Sequence, residues 1–360
     1  MAYKVIQWAT GFVGHFALRT VIEHPDLELV GVWVHSPEKI GKDAGELCGL
    51  GRTGITATND IDALLALDAD CVCSAASGDE REAETVDLMC RMLASGKNIV
   101  STSVVGLVYP PSFPDQSLVK KLEAACRVSG KSVFTSGIEP GFASDTLPLV
   151  ISGLCQHWTS VRVMEILDYA TYCPASKAVA QQILYDRMGF GMPMDYVPNL
   201  FKPGVLTYVW GGPVHAIAAG LGVTLDAVQE GYERLPAPDD FEIQAGPVRK
   251  GTAAALRFAV AGVIAGRPAI VLEHVTRLRP DIAPDWPQGS NGPGYYIMIE
   301  GEPKMTCHFD QQNATGDHVA GGILATATRV VNAIPAVCQA NPGILSALDL
   351  PLVTARGLMR

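Results

Sequence analysis

The tightest constraint on the fold of this chain is an alternation of short apolar strands with amphipathic helices that runs from Tyr3 to Ser136. Tyr3 to Trp8, Leu27 to Val34, Gly54 to Thr58, Cys71 to Ala75, Asn98 to Ser101 and Lys131 to Ser136 have the length and apolar character of buried strands. Between them, helical stripes fall at Phe16, Leu18, Val21 and Ile22, at Ile61, Leu64 and Leu65 behind Asn59 as a cap, and at Val86, Met89, Cys90 and Leu93. A further helix, Asp115 to Ser129, carries Leu118, Leu122 and Ala125 and stops at Gly130, as the preceding one stops at Ser95-Gly96. Such alternation predicts an α/β, doubly wound parallel sheet of Rossmann type, whose ligand lies outside the carboxyl ends of the strands. The loops of interest are then residues 9–14, 35–39, 75–78, 102–109 and 137–142.

The first of these loops reads Ala9-Thr10-Gly11-Phe12-Val13-Gly14, a dinucleotide-binding fingerprint with alanine at its first glycine. Gly11 lets backbone approach a diphosphate, Gly14 lets the helix pack closely on the strand, and the helix N-terminus favours the negative charge. Elsewhere the hexapeptide would read as an ordinary tight turn; at the head of this alternation it reads as a cofactor loop. After the second strand the chain runs Val34-His35-Ser36-Pro37-Glu38-Lys39, with no acid at the strand end to hold ribose hydroxyls. Ser36 can donate to a phosphate and Lys39 can supply charge, which favours NADP with NAD tolerated. The competing reading leaves His35 and Lys39 as solvated loop residues. Ala75, Ala76, Ser77 and Thr102 extend the expected cofactor surface, and Gly137, Pro140 and Gly141 in Gly137-Ile138-Glu139-Pro140-Gly141-Phe142 give an irregular backbone against which a flat ring could lie. Glu139 could act as a general acid or bind a cationic amine, or it could cap the next helix, whose first turn is expected to hold Ser144 and Asp145, or pair with Arg162.

Beyond this region, Val161 to Leu167 reads as a strand, Ala178 to Met188 as helix, and Leu256 to Val263 with Ile270 to Val275, and Tyr295 to Ile299 with Lys304 to Phe309, as hairpins. Pro280 to Gly294 reads as a long loop, a lid or an oligomer contact. Val319 to Ile334 has an apolar helical face expected to return to the first domain. The expected organisation is a Rossmann domain over residues 1–145, an inserted α+β mixed-sheet substrate domain over 146–317, and a C-terminal helical segment over 318–360. Tyr169 and Tyr172 open the insertion, where either phenol could donate a proton to a carbonyl oxygen or simply pack.

With 360 residues, 48% of them hydrophobic, the chain can build two cores. A formal charge of −10 excludes the basic face that nucleic acid requires, leaving a small molecule as the expected partner. The nine cysteines lack paired metal-ligand spacing and are expected to be reduced, and His157, His215, His274 and His308 share no ligand spacing, so no metal is expected. Met1 to Lys4 runs directly into Val5 to Trp8 without a leader-like pattern, and no span resembles a membrane helix; a cytoplasmic location, with no membrane partner, is the expectation.

Taken together, Ala9 to Gly14, Val32-Trp33-Val34-His35-Ser36, Gly137 to Phe142 followed by Asp145, Met188-Gly189-Phe190-Gly191 and Val330-Val331-Asn332-Ala333-Ile334-Pro335 resemble the dihydrodipicolinate reductase-like superfamily over nearly the whole chain. Within it, the likeness is to the branch of 2,4-diaminopentanoate dehydrogenase and native amine dehydrogenases. The resemblance implies a nicotinamide-dependent oxidoreductase that moves hydride between the ring and a carbonyl, imine or amine carbon of a small, largely apolar substrate in a pocket between domains. A homodimer or higher homo-oligomer is expected, through the second-domain sheet or the C-terminal helix.

Two departures qualify it. The paired histidines and catalytic lysine of true dihydrodipicolinate reductases are absent from the corresponding run, Glu165-Ile166-Leu167-Asp168-Tyr169-Ala170-Thr171-Tyr172-Cys173-Pro174-Ala175-Ser176. The glutamate that amine dehydrogenases place after the fifth strand is replaced by Val104 or Val105 in Ser101-Thr102-Ser103-Val104-Val105-Gly106, and valine neither binds ammonium nor transfers a proton. Amine chemistry and ketone or aldehyde reduction both remain open, with a catalytically silent NADP-binding sensor or scaffold as the rival.

Overall fold

The computed structural model describes residues 2–78, 81–172 and 177–359. The chain divides into two compact units, Met1–Phe142 with Ile323–Arg360, and Ala143–Gly322.

In the first unit the elements follow in the order β1 (Tyr3–Trp8), α1 (Phe12–Glu23), β2 (Leu27–Trp33), α2 (Ala44–Leu47), β3 (Ala57–Thr58), α3 (Ile61–Leu65), β4 (Cys71–Ser74), α4 (Glu82–Ala94), β5 (Asn98–Ser101), α5 (Gln116–Ser129) and β6 (Val133–Thr135). Seven strands form its sheet, because Ile344–Leu345 near the C-terminus pairs parallel with β6 and adds one strand to the six expected. The order runs from that strand through β6, β5, β4, β1, β2 to β3, all parallel. The central strands are buried on both faces, as parallel strands under two helical layers must be, and the strands at the two edges are two residues long. The order reverses at β1, so the loops leaving β1 and β4 lie side by side at the switch point.

Local chemistry explains the boundaries. Asp115 caps α5 by accepting from the Ser117 amide at 2.9 Å, and Gly130 closes it with φ +68°. Gly96 ends the segment after α4 with φ +84°. The cap of α3 is Asp60, accepting from the Ala63 amide at 2.9 Å, rather than Asn59, because a carboxylate one residue nearer the first turn reaches that donor. The buried stripe of α5 is Val119, Leu122 and Cys126, one residue round the helix from the Leu118 and Ala125 positions expected.

The second unit contains α6 (Thr146–Ser152), β7 (His157–Asp168), α7 (Lys177–Gln181), α8 (Val205–Gly220), β8 (Ala227–Pro236), β9 (Phe241–Ile243), β10 (Gly246–Val248), β11 (Ala253–Ile264), β12 (Arg267–Arg277), β13 (Gly294–Glu302) and β14 (Met305–Phe309). Its six-stranded sheet has the order β14-β13-β7-β12-β11-β8, with β7 and β12 parallel and the rest antiparallel, and β9 and β10 make a separate ribbon. Helix α8 packs along one face of β11 and β12 through residues that include Trp210 and Val214. Residues 280–294 are not a free lid within this unit. The Arg277 guanidinium donates to the carbonyl oxygens of Ile282, Ala283 and Pro287 at 3.0–3.1 Å, and Ile282 and Trp286 are buried.

The chain re-enters the first unit at Ile323, within α9 (His318–Gln339), and the terminal strand is β15 (Ile344–Leu345). By length and composition α9 could cross a membrane, which corrects the expectation that no span approaches that character. Its apolar side, Val330, Val331, Ala333, Ile334 and Val337, is instead packed in one core cluster with Val5, Val100 and Phe134, the place of a core helix.

Candidate active site

Construction of the site begins at Ala9, the residue after β1, whose backbone is left-handed at φ +71°. Gln7, wholly buried in β1, holds this turn by donating its side-chain amide to the Ala9 carbonyl at 2.9 Å. A Cβ at Gly14 would meet the Ala9 carbonyl oxygen at 2.2 Å, so only glycine lets α1 sit this close to the strand. A Cβ at Gly11 would point into open space, and Gly11 offers α1 no side-chain cap. The first-turn amides of Phe12, Val13 and Gly14 thus form an N-terminus to which an anion can come close. Ala75, leaving β4, has its Cβ 3.4 Å from where a Gly14 Cβ would be, as the switch-point topology requires.

From the other side, the turn Pro37–Lys39 swings Lys39 back over this loop. The Lys39 ammonium donates to the Thr10 carbonyl oxygen at 2.8 Å and to its hydroxyl at 3.3 Å. His35 is exposed and tilted against Trp33, which stacks on Trp8 with ring centroids 4.9 Å apart. Ser36 is half-buried at the head of the same turn. Thr10, Gly11, Ser36 and Lys39 are therefore gathered at one corner.

At the carboxyl ends of β5 and β6, the Thr102 amide donates to Ser74 at 3.0 Å, and Ser103 donates its hydroxyl to the Ala76 carbonyl, linking residues 75–77 to the loop after β5. Val104 is buried in a left-handed conformation, φ +55°, which is costly for a β-branched residue. Its side chain packs against Gly78, and no acid occupies this turn. Gly141 also has positive φ, +141°, in the irregular segment containing Glu139 and Pro140. Sequence reasoning missed what fixes that segment: Thr326 of α9 accepts from the Ile138 amide at 3.2 Å, and its methyl would lie 3.3 Å from a Cβ at Gly137, a tight contact. Arg329 of the same helix lies over the rings of Phe134 and Phe142. Because 188 residues separate Thr326 from Ile138, no local pattern could have signalled the pairing.

In the second unit, Asp145 is the N-cap of α6, which begins at Thr146, so neither it nor Ser144 lies in the first turn as expected. Arg162 is engaged by Glu273, which also takes Arg257 at 2.6 Å. Tyr169 and Tyr172 stack with centroids 5.2 Å apart. Burial pushes the Tyr172 phenol up to about 12, with Arg187 opposing the rise and Glu165 adding to it. The end of the run quoted above, residues 173–176, lies outside the described residues. Among the described residues the cysteines are free, and burial pushes the Cys73 and Cys126 thiols up to about 12, so both remain protonated core groups. No cluster of three or more His, Cys, Asp or Glu suited to a metal ion occurs among the described residues.

Comparison with known proteins shows the family. Residues 142–359 match the family described as 2,4-diaminopentanoate dehydrogenase C-terminal domain, and residues 5–102 match dihydrodipicolinate reductase, N-terminus. An amine dehydrogenase of Streptomyces virginiae is 40% identical over 98% of each chain. The 2,4-diaminopentanoate dehydrogenase of Acetoanaerobium sticklandii is 24% identical over 72% of this chain and 67% of its own. The solved amine dehydrogenase of Mycobacterium smegmatis shares the fold, with a TM-score of 0.76 over 98% of this chain and 97% of that one at 20% identity. The chain belongs to the 2,4-diaminopentanoate dehydrogenase and amine dehydrogenase branch of the dihydrodipicolinate reductase-like superfamily, and is a nicotinamide-dependent oxidoreductase.

Proposed function

We propose that this enzyme uses NADP(H) in preference to NAD(H) to interconvert a small, largely apolar amine with its imine and carbonyl forms. The observation that carries the cofactor preference is the Lys39 ammonium seated on Thr10, with Ser36 beside it and no acid at the end of β2. Ala9, Thr10, Gly11, Phe12, Val13 and Gly14 cradle the diphosphate. His35, Ser36 and Lys39 meet the phosphorylated ribose. Ala75, Ala76, Ser77, Thr102, Gly137, Pro140 and Gly141 line the path to the nicotinamide ring. The cofactor, when bound, supplies or accepts hydride; the chain's own residues bind, orient, exclude water and handle protons.

Glu139, Tyr169 and Tyr172 are the side chains to which we assign substrate contact and proton donation. The Tyr172 phenol keeps its proton throughout the neutral range and can offer it in a hydrogen bond to the substrate. The relatives' names support amine chemistry over simple carbonyl reduction, and they do not support the silent-sensor alternative. Among the described residues the thiols are free, four of them buried, which fits a cytoplasmic enzyme.

The test is a turnover panel of aliphatic and cyclic amines with NADP and NAD, and of the matching carbonyls with NADPH and NADH, with and without ammonium, followed by nicotinamide absorbance. The reading requires amine oxidation with NADP favoured, and carbonyl reduction that depends on ammonium. Carbonyl reduction indifferent to ammonium would assign a ketone or aldehyde reductase instead.

A further inference from the structure

Three rings stand in a row at the carboxyl end of β2. Strand register sets Trp8 of β1 beside Trp33 of β2, and their indoles stack with an interplanar angle of 7° and centroids 4.9 Å apart. His35, two residues further along, carries its ring 6.1 Å from that of Trp33 at a tilt of 38°. Burial falls along the row: Trp8 is wholly buried, Trp33 half-buried and His35 exposed. The row is fastened to the fingerprint loop, because the Ala9 amide donates to the Trp33 carbonyl at 3.0 Å. On the other side the Val34 amide donates to the Thr58 carbonyl at 2.9 Å.

The core does not require aromatic rings at this place. The opposite face of β2 is filled by Val32 and Val34, which pack with Leu18 and Ala57 in an aliphatic cluster. Both indole N–H groups of the row are buried and have no hydrogen-bond partner among the described residues, a cost that aliphatic side chains would avoid. What stacked indoles provide, and aliphatic packing does not, is a flat ring carried at the exposed end. The His35 imidazole makes no hydrogen bond or ion pair among the described residues; its contact is with the ring of Trp33. A pyridine dinucleotide carries a purine at one end, and the topology directs its adenosine half to the carboxyl end of the second strand, the corner where Thr10, Ser36 and Lys39 meet.

We propose that His35 is the residue on which the adenine ring of the cofactor stacks, so that the base extends the row of Trp8, Trp33 and His35 by one ring. This rests on the reading of residues 9–14 and 35–39 as the dinucleotide site. A base offers a π-face to an aromatic side chain whatever its ring substituents. The corner then divides its work. Lys39 and Ser36 meet the phosphate that NADP alone carries, and His35 holds the base that NADP and NAD share. His35 sets affinity for both nucleotides; Lys39 sets the preference between them.

The experiment titrates wild type, His35→Ala, His35→Gln and His35→Phe with NADPH and with NADH by calorimetry. Gln keeps hydrogen-bonding capacity without a ring, and Phe keeps a flat ring without nitrogen. The proposal predicts that His35→Ala and His35→Gln each weaken NADPH and NADH by a common factor of about tenfold to a hundredfold. It predicts that His35→Phe stays within about threefold of wild type for both nucleotides. Unchanged affinity in His35→Ala overturns it. So does a loss confined to NADPH, which would make the imidazole a phosphate contact, and so does a Phe variant that binds as weakly as the Ala variant. Wild type that binds neither nucleotide would instead refute the underlying dinucleotide reading, which the first titration detects before any variant is compared.

Discussion

The Lys39 ammonium lies 2.8 Å from the Thr10 carbonyl oxygen, so the loop after β2 is closed onto the loop after β1 by a cation. A phosphate on the adenosine ribose would find that cation already in place, and binding would exchange a neutral acceptor for a charged one. Lys39→Ala is expected to weaken NADPH binding roughly tenfold to a hundredfold, the equivalent of a charge-assisted hydrogen bond contributing about 1.5–3 kcal/mol. NADH binding should hardly change. A parallel loss for both cofactors, measured by fluorescence titration, would remove Lys39 from phosphate recognition.

Ala9 occupies a backbone region that suits glycine, φ +71°, and a Cβ at Gly14 would collide with the Ala9 carbonyl. Ala9→Gly relieves the left-handed strain while making the unfolded chain more flexible; the net is a gain of about 0.5–1 kcal/mol. Gly14→Ala works the other way, costing about 1–3 kcal/mol through a forced backbone shift, together with cofactor affinity. Urea unfolding of both variants gives the two signs.

Asp43 accepts from the amides of Gly45, Thr53 and Gly54 at 2.8–2.9 Å and closes the loop around α2. These donors, the Thr53 amide foremost, hold its carboxyl down at about 2 against an ordinary 3.8. A depressed folded-state value stabilises the protein above the unfolded value, and that contribution is lost as pH falls through the folded one. Asp43→Asn should therefore be less stable than wild type at neutral pH, with the gap closing between about pH 4 and pH 2. A gap independent of pH would show that the hydrogen-bond geometry matters and the charge does not.

Tyr172 keeps its proton until pH approaches 12. Activity should show no loss from its ionisation at neutral or mildly alkaline pH, and Tyr172→Phe should lower kcat by about a hundredfold or more if the phenol is the donor. If Tyr172→Phe changes KM alone, the phenol binds substrate and leaves the proton to another group.

The first unit was readable because each of its signals is local: buried parallel strands are short apolar runs, Gly14 marks where a side chain would collide with the preceding loop, and Gly96 and Gly130 mark helix ends by their positive φ. Much of the second unit was not. β8 carries Gln229, Glu230, Gly231, Glu233 and Arg234 along one strand, with almost no alternation to detect, and it exists through pairing with β11. α8 is buried all round and contains Gly211, Gly212 and Pro213, so it has neither a stripe nor a helical composition. Of the candidate site, the fingerprint loop and Lys39 were legible in order along the chain. The row of Trp8, Trp33 and His35 was not, because it forms through the parallel register of β1 and β2, and His35 alone reads as a solvated loop residue.

The central claim, that Gly11, its neighbouring amides and Lys39 hold a phosphorylated pyridine dinucleotide, is tested most directly by calorimetric titration of the purified protein with NADPH and NADH. The account predicts saturable one-to-one binding of both, with NADPH tighter by at least about tenfold. Absence of saturation with either nucleotide, or NADH binding the more tightly, would contradict it.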